Sequence, residues 1–279
     1  MTNHQIRFGA ERQLAGDEYL SELLHYQQLY QAVPTIETLL ADAIKVIQSL
    51  HAGYLPPLLP VLELPETVVA EVAEYVLAKY PKQQSAGNRL WQKLTEPLEE
   101  VDYLLRHLRD KLISDYSMYG YVSDTWVRDL ASYLAGAPVL ELMAGHGYIS
   151  AGLRELDYEQ KIIATDNLAW LDQPDLQTAQ PVTAIENLDA LAALDKYGAQ
   201  VQFVLLSWAP DTTEADWEVL HYIRDNQARF NFELIVIGEK DGATNSAKFW
   251  QDARLTEIAS LNVHHQSFDL IDERVYLVQ

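Results

Sequence analysis

Residues 139–152 of the 279-residue chain read Val139-Leu-Glu-Leu-Met-Ala-Gly-His-Gly-Tyr-Ile-Ser-Ala-Gly152. The first five residues suit a short buried strand, and Gly145 and Gly147 allow the backbone to turn sharply. The residues after them suit a helix, whose first turn offers unpaired N–H groups and the positive end of the helix dipole. This order of strand, glycine turn and helix predicts a backbone that closely approaches a ligand. A plain strand–helix turn is the alternative.

The next apolar run, residues 161–165, ends at Asp166 and Asn167. Asp166 follows Gly145 by about 20 residues, the spacing at which a carboxylate accepts hydrogen bonds from ribose hydroxyls. The two segments together predict a nucleoside-containing cofactor at the point where the strand order of the sheet reverses. We assign Asn167, the neighbouring residue, to the same cofactor site.

From about residue 138 onward, short apolar runs alternate with helical stretches, which predicts a three-layer α/β sandwich over residues 116–279. Strands are predicted at residues 139–143, 161–165, 182–185, 201–207 and 233–238. Helices are predicted at residues 149–156, 188–197, 214–226 and 247–260. Residues 262–268 and 274–278 are predicted to close a mostly parallel sheet as an antiparallel pair, with His264 and His265 in its first strand.

Residues 1–115 are predicted to form an all-helical N-terminal domain. Its helices are expected at residues 17–32, at 36–50 behind Thr35 as N-cap, at 66–79, and at 89–114 with a kink or restart at Pro97. Pro34 is expected to separate the first two. The proline-rich residues 53–65 predict an extended connector, and residues 83–88 a loop. The apolar stripes of these helices must be buried against each other, the sheet or a second subunit, so a homodimer through them is possible.

Composition excludes several classes of function. The chain has 41 acidic and 20 basic residues, a formal net charge of −21. This balance argues against nucleic acid as partner or substrate. The absence of cysteine excludes thiolate metal sites and cysteine nucleophiles, and no His, Asp and Glu set has metal-ligand spacing. We find no signal peptide in residues 1–10 and no membrane-spanning stretch, so we expect a soluble, cytoplasmic, acidic protein without membrane contact.

The identity of the cofactor depends on two residues. A dinucleotide fingerprint requires a third glycine where Ser150 stands, and a pyrophosphate site does not require the acid Glu141 inside the first strand. Strand 139–143, with Glu141, Gly145 and Gly147, resembles motif I of the Rossmann-like, class I S-adenosylmethionine-dependent methyltransferases. The resemblance implies that the glycine loop approaches the amino-acid end of the cofactor and that Asp166 holds the ribose.

The resemblance extends over residues 119–279. Asp189-Ala190 resembles the pair whose carboxylate faces the adenine amino group, although a helix cap is the alternative for Asp189. Leu206-Ser-Trp-Ala-Pro210 resembles the motif beside the transferable methyl group, which places Ser207 at the cofactor. Met143 departs from the family, which has a glycine there. Its side chain either crowds the methionine end of the cofactor or packs below the loop.

The resemblance also implies where the methyl acceptor binds. Related enzymes fold the segment before the first strand over the cofactor, so Tyr119 and Tyr121 are candidates for the substrate site, together with Trp208. Packing in the core is the alternative for all three. We predict a methyltransferase for a small-molecule or protein acceptor, without naming a catalytic residue. A nucleotide-dependent oxidoreductase and a non-catalytic binding module that keeps the fold remain alternatives.

Overall fold

A computed structural model of the chain describes residues 5–11, 17–172 and 180–279. The N-terminal part is helical, as predicted. Its helices are α1 (Glu18–Leu29), α2 (Pro34–His51), α3 (Val68–Lys79), α4 (Gln84–Thr95), α5 (Leu98–Arg106) and α6 (Leu108–Tyr116). Between α2 and α3 the proline-rich connector is extended, because prolines cannot continue a helix or donate to a sheet.

The C-terminal part contains one mixed sheet, whose order is β3-β2-β1-β4-β5-β7-β6. Its strands are β1 (Val139–Leu142), β2 (Ile162–Asp166), β3 (Glu186–Asn187), β4 (Phe203–Ser207), β5 (Glu233–Gly238), β6 (Leu255–Glu257) and β7 (Arg274–Val278). The first five strands are parallel, and β7 is antiparallel to both β5 and β6. The predicted Rossmann-like architecture, with a mostly parallel sheet and an antiparallel final strand, is confirmed.

Helices cover both faces of the sheet, because the central strands are apolar on both sides. Leu205 and Ile235 are buried on one face, and Val204 and Val236 on the other. The first face packs against α7 (Asp124–Leu134), α8 (Tyr148–Leu156) and α12 (Ala259–Asn262). The second packs against α9 (Ala190–Tyr197), α10 (Ala215–Asp225) and α11 (Ala247–Asp252).

The N-terminal helices belong to the hydrophobic cluster of the first face. The Tyr148 hydroxyl, at the start of α8, donates to the Tyr116 carbonyl at the end of α6 at 2.7 Å, and the Phe8 ring packs on the Tyr148 ring. The apolar stripes of these helices are therefore buried against each other and against the α7/α8 layer. The domain boundary near residue 115 and a homodimer through these helices stay predictions. No helix in the described ranges is both long and apolar enough to cross a bilayer.

Several predicted elements in the helical part were wrong. Residues 83–88 are not a loop, because α4 begins at Gln84 and Gly87 packs against α3. Thr35 is not an N-cap: Pro34 takes the first helical position, which suits its fixed φ and missing N–H. The predicted helix 89–114 restarts after Pro97, as expected, and breaks a second time at His107. Helix α7 was not predicted.

The C-terminal pairing was also predicted wrongly. The predicted helix 247–260 ends at Asp252, and Leu255–Glu257 forms the edge strand β6 that pairs with β7. Residues 262–268 leave the sheet, so His264 and His265 do not lie in a strand. This segment instead packs against α7 and the connector, where the Phe268 carbonyl accepts from Leu62 N at 2.7 Å. In place of the predicted strand 182–185, the short β3 follows at Glu186–Asn187.

Candidate functional site

The glycine loop lies where β1 ends, next to β4, which is the position where the strand order reverses and open α/β sheets bind ligands. Met143, Gly145 and Gly147 all have positive φ, at 51°, 54° and 79°. A Cβ on Gly145 would meet nothing within 4 Å, whereas one on Gly147 would lie 2.9 Å from the Thr183 side chain. The open backbone position of this loop is therefore Gly145, and Gly147 faces protein.

Asp166, at the end of β2, contacts this loop directly. Its Oδ2 accepts from Gly145 N at 2.9 Å, and its Oδ1 accepts from Leu168 N at 2.7 Å and from Trp170 Nε1 at 3.2 Å. A carboxylate offers about four acceptor positions. Three are used within the protein, so Oδ2 keeps one position for a ligand hydroxyl. The structure thus brings together the two residues on which the predicted cofactor site depends.

Two short segments lie against the glycine loop. The Trp170 ring lies 4.2 Å from the His146 ring, centroid to centroid, and Val182 N donates to the His146 carbonyl at 2.9 Å. Asn167 is exposed, and its Oδ1 accepts from Ala169 N at 3.0 Å. Asn167 thus shapes the turn after β2, and its predicted contact with a cofactor stays a prediction.

Glu141 is buried within β1 and faces α8. Its Oε2 accepts from Ser150 N at 3.1 Å and from the Ser150 hydroxyl through a short hydrogen bond. Burial raises the pKa of Glu141 to about 7, although the Ser150 hydrogen bonds favour the ionised form. This carboxyl group ties the first strand to the first turn of the helix. A direct contact between Glu141 and a cofactor stays a prediction.

Asp189 and Ser207 end up in different environments. Asp189 is the N-cap of α9, and its Oδ1 accepts from Ala192 N at 2.9 Å, as the capping alternative predicts. Its contact with adenine stays a prediction. Ser207 is buried at the end of β4, and its Oγ has no hydrogen-bond partner among the described residues. A buried hydroxyl without a partner is uncommon, which makes Ser207 a candidate ligand contact.

Met143 packs below the loop. Its side chain is half-buried against the hydrophobic cluster on the α9/α10 face of the sheet. Of the two interpretations left open by the sequence, the structure therefore shows the packing one. The left-handed backbone at this position is nevertheless one that favours glycine.

The three aromatic residues proposed for the acceptor site lie at the edge where β4 and β5 end. Trp208 N donates to the Ile237 carbonyl at 2.8 Å, and its indole packs on Gly120, where a Cβ would lie 1.9 Å from the ring. Tyr121 is buried, and its hydroxyl donates to the Pro57 carbonyl at 2.5 Å. Tyr119 is 49% exposed. Trp208 thus meets the 119–121 segment as predicted, while Tyr121 joins the connector to the core.

Sequence reasoning missed a polar cluster beside Trp208. Arg109 Nε donates to Asp269 at 2.5 Å, and its Nη1 donates to Glu273 at 3.3 Å and to the Tyr119 carbonyl at 2.7 Å. Burial raises the pKa of Glu273 to about 7, while Arg109 and the Trp208 indole N–H favour its ionised form. Burial lowers the pKa of His265, which faces Glu273, to about 4. No local pattern could have found this cluster, since Arg109 is 160 and 164 positions from Asp269 and Glu273. Across the described ranges, no group of three or more His, Asp or Glu side chains could hold a metal ion.

Comparison with known proteins gives structural similarity only. No protein-family model matches the sequence, and the search of curated proteins finds no match. Human N-acetylserotonin methyltransferase in complex with SAM is 12% identical, with a TM-score of 0.33 over 96% of this chain and 99% of that one. A putative methyltransferase, yhhF from Escherichia coli, is 18% identical, with a TM-score of 0.31 over 56% of this chain and 86% of that one.

Magnesium protoporphyrin IX methyltransferase from Synechocystis, solved with bound SAM, is 14% identical. Its TM-score is 0.31 over 56% of this chain and 78% of that one. These three structures are described as methyltransferases, one of them as a putative one. Their TM-scores are too low to support a statement about the activity of this chain. The fold described above is based on the strand pairing of this chain itself.

Proposed function

We propose that the chain is an S-adenosylmethionine-dependent methyltransferase that acts on a small-molecule or protein acceptor. The observation that carries the proposal is the open backbone of Gly145, whose N–H lies 2.9 Å from Asp166 Oδ2 where the strand order reverses. The one acceptor position left on Oδ2 suits a ribose hydroxyl. Ser207 Oγ, buried without a partner at the neighbouring strand end, suits a second polar contact.

The residues present fit such a cofactor, which would supply an activated methyl group. Gly145 lets the backbone approach it, Asp166 holds the ribose, and Ser207 contacts it from β4. Asp189 is assigned to the adenine end on the resemblance alone, and Asn167 is assigned to the cofactor site as the neighbour of Asp166. Direct methyl transfer depends chiefly on aligning the acceptor, so the role of the protein is to position the two reactants.

The two alternatives make different demands on the same loop. A dinucleotide-binding oxidoreductase requires close packing at the third glycine, and here Ser150 fills that position and donates to Glu141. A non-catalytic module is favoured by the three acceptor positions of Asp166 that are used within the protein. Binding measurements separate all three.

The first test compares two glycine substitutions. Gly145 and Gly136 both have positive φ, at 54° and 78°, and a Cβ on either would meet nothing within 4 Å. Gly145→Ala and Gly136→Ala should therefore lose similar stability, roughly 1–2 kcal/mol from the backbone strain. Only Gly145→Ala should lose binding of S-adenosylhomocysteine, by tenfold or more in titration calorimetry, because only Gly145 lies at the proposed site.

Three outcomes would contradict the proposal. Equal affinity of Gly145→Ala and Gly136→Ala would remove the loop from the cofactor site. Absence of binding to the wild-type protein would favour the non-catalytic module. Binding of a nicotinamide cofactor in place of S-adenosylhomocysteine would favour the oxidoreductase.

A second test removes the charge of Asp166. Asp166→Asn keeps the shape of the side chain and its Oδ1, which can still accept from Leu168 N. A charge-assisted hydrogen bond to a ribose hydroxyl is worth about 1.5–3 kcal/mol, so affinity should fall at least roughly tenfold. Unchanged affinity for S-adenosylhomocysteine, in a variant whose circular dichroism matches the wild type, would contradict the ribose assignment.

A further inference from the structure

A cavity of about 80 Å³ lies on the α7/α8 side of the sheet, apart from the glycine loop. It is formed by the proline-rich connector, Tyr121 and the segment that leaves the sheet before β7. Three polar side chains, Arg109, His265 and Glu273, form one wall, and His264, Gln266 and Ser267 also line the cavity. Its apolar lining includes Leu58, Val263 and Phe268, of which Leu58 and Val263 are 37% and 56% exposed. Apolar side chains beside convergent polar groups are typical of small-molecule sites.

The polar wall contains a nitrogen without a hydrogen bond. His265 Nε2 has no partner among the described residues, although the side chain is only 5% exposed. Glu273 Oε2 lies 4.0 Å from it, too far for a hydrogen bond between the two. Glu273 Oε1 is already engaged with Arg109. A single oxygen or nitrogen atom about 2.8 Å from both Nε2 and Oε2 would bridge them with ordinary hydrogen-bond lengths.

The charges of these three side chains indicate that the ligand is uncharged. Arg109 is neutralised by Asp269 and Glu273, so no unpaired cation is present to hold an anionic group. His265 is neutral at pH 7, because burial and the nearby charges of Arg274 and Arg109 lower its pKa to about 4. A neutral imidazole that donates from Nε2 and a carboxylate that accepts are matched by an uncharged hydroxyl group, which accepts from the first and donates to the second.

We propose that this cavity binds a small uncharged molecule with an apolar body and one hydroxyl group, held between His265 Nε2 and Glu273 Oε2. Glu273 immediately precedes β7, and Arg274 pairs with Gly238 at the end of β5. The cavity therefore lies at the edge of the sheet where Trp208 follows β4.

The test uses four probes of one size and different polarity: benzyl alcohol, toluene, benzylammonium and benzoate. Nitrogen NMR of protein labelled in its histidine rings reports binding, and His265→Gln identifies the resonance of His265. We expect benzyl alcohol to shift that resonance saturably, with toluene at least fivefold weaker and benzoate without effect. Equal binding of toluene and benzyl alcohol, preference for either charged probe, or no shift with any probe would overturn the proposal.

A pair of tryptophan substitutions checks the location. Leu58→Trp places a large ring at the cavity mouth, and Leu77→Trp places the same ring on α3, where Leu77 is 67% exposed and lines no part of this cavity. Benzyl alcohol binding should be lost in Leu58→Trp and kept in Leu77→Trp, with circular dichroism confirming that both fold. Binding that survives in Leu58→Trp would overturn the assignment to this cavity.

The two proposals fail separately. If the protein binds S-adenosylhomocysteine but the His265 resonance does not respond to benzyl alcohol, the cavity proposal is wrong and the methyltransferase proposal stands. If benzyl alcohol binds as described but S-adenosylhomocysteine does not, the cavity proposal stands and the methyltransferase proposal is wrong.

Discussion

Met143 offers a sharp test of the glycine loop, because its backbone and its side chain have opposite effects on stability. Its φ of 51° lies in the left-handed region, which costs a non-glycine residue about 1–2 kcal/mol. The half-buried side chain packs against the α9/α10 cluster. Complete burial of such a side chain contributes about 2–5 kcal/mol relative to alanine, so half-burial contributes about 1–2 kcal/mol.

Met143→Ala removes the packing and keeps the backbone strain, so its free energy of unfolding should fall by about 1–2 kcal/mol. Met143→Gly removes both and should stay within about 1 kcal/mol of the wild type. Glycine should thus be the more stable of the two by about 1 kcal/mol. This reverses the ordinary loop preference, in which alanine is favoured by about 0.4–1 kcal/mol.

Urea unfolding of the wild type and both variants measures the difference. Ala144→Gly is the matched control, since Ala144 lies in the same loop without a positive φ and should lose stability on substitution. Titration with S-adenosylhomocysteine should show that Met143→Gly binds at least as tightly as the wild type. A glycine variant less stable than the alanine variant would refute the strain argument. Loss of binding in a folded Met143→Gly would make Met143 part of the pocket.

Two further predictions concern the residues that support this loop. Burial raises the pKa of Glu141 from 4.5 to about 7, so its protonated form stabilises the fold below pH 4.5, and this contribution is lost as the pH rises through 7. The stability of the wild type relative to Glu141→Gln should therefore fall between pH 4.5 and 7 and then stay level in urea unfolding. A pH-independent difference would contradict the raised pKa. Gly147→Ala should lower the melting temperature more than Gly136→Ala, because its Cβ would meet Thr183 at 2.9 Å while that of Gly136 meets open space. Equal losses would contradict the described contact.

The elements predicted best are those in which the buried apolar residues are consecutive in the sequence. Strand β5 was predicted at its observed bounds, because its four central residues form an unbroken apolar run that is buried on both faces of the sheet. Strand β6 was missed for the opposite reason. Thr256 and Glu257 are exposed at the edge of the sheet, and these residues become a strand only by pairing with β7. Gly87 suggested a loop, although it lies within α4, where a Cβ would make ordinary contact with Val76 of α3 at 3.6 Å.

The same distinction applies to the candidate site. The contact between Gly145 and Asp166 follows from sequence, since neighbouring parallel strands end at one edge, and Asp166 ends β2 while Gly145 lies in the loop just after β1. The pairing of Arg109 with Glu273 joins residues 164 positions apart, from a helix and from the residue before β7. No periodicity connects such residues, and only the packing of α6 against the end of the sheet brings them together.

Glu141 and Ser150 explain why the loop departs from a dinucleotide fingerprint. The third glycine of that fingerprint allows a helix to pack closely on its strand. Here the Ser150 hydroxyl and N–H both donate to Glu141, so helix and strand are joined by hydrogen bonds at that position. A glycine at 150 would remove one of the two donors to a carboxyl group that is buried away from water. The acid in the strand and the serine in the helix therefore act as a pair, because Ser150 supplies the hydrogen bonds that the buried Glu141 carboxyl group requires.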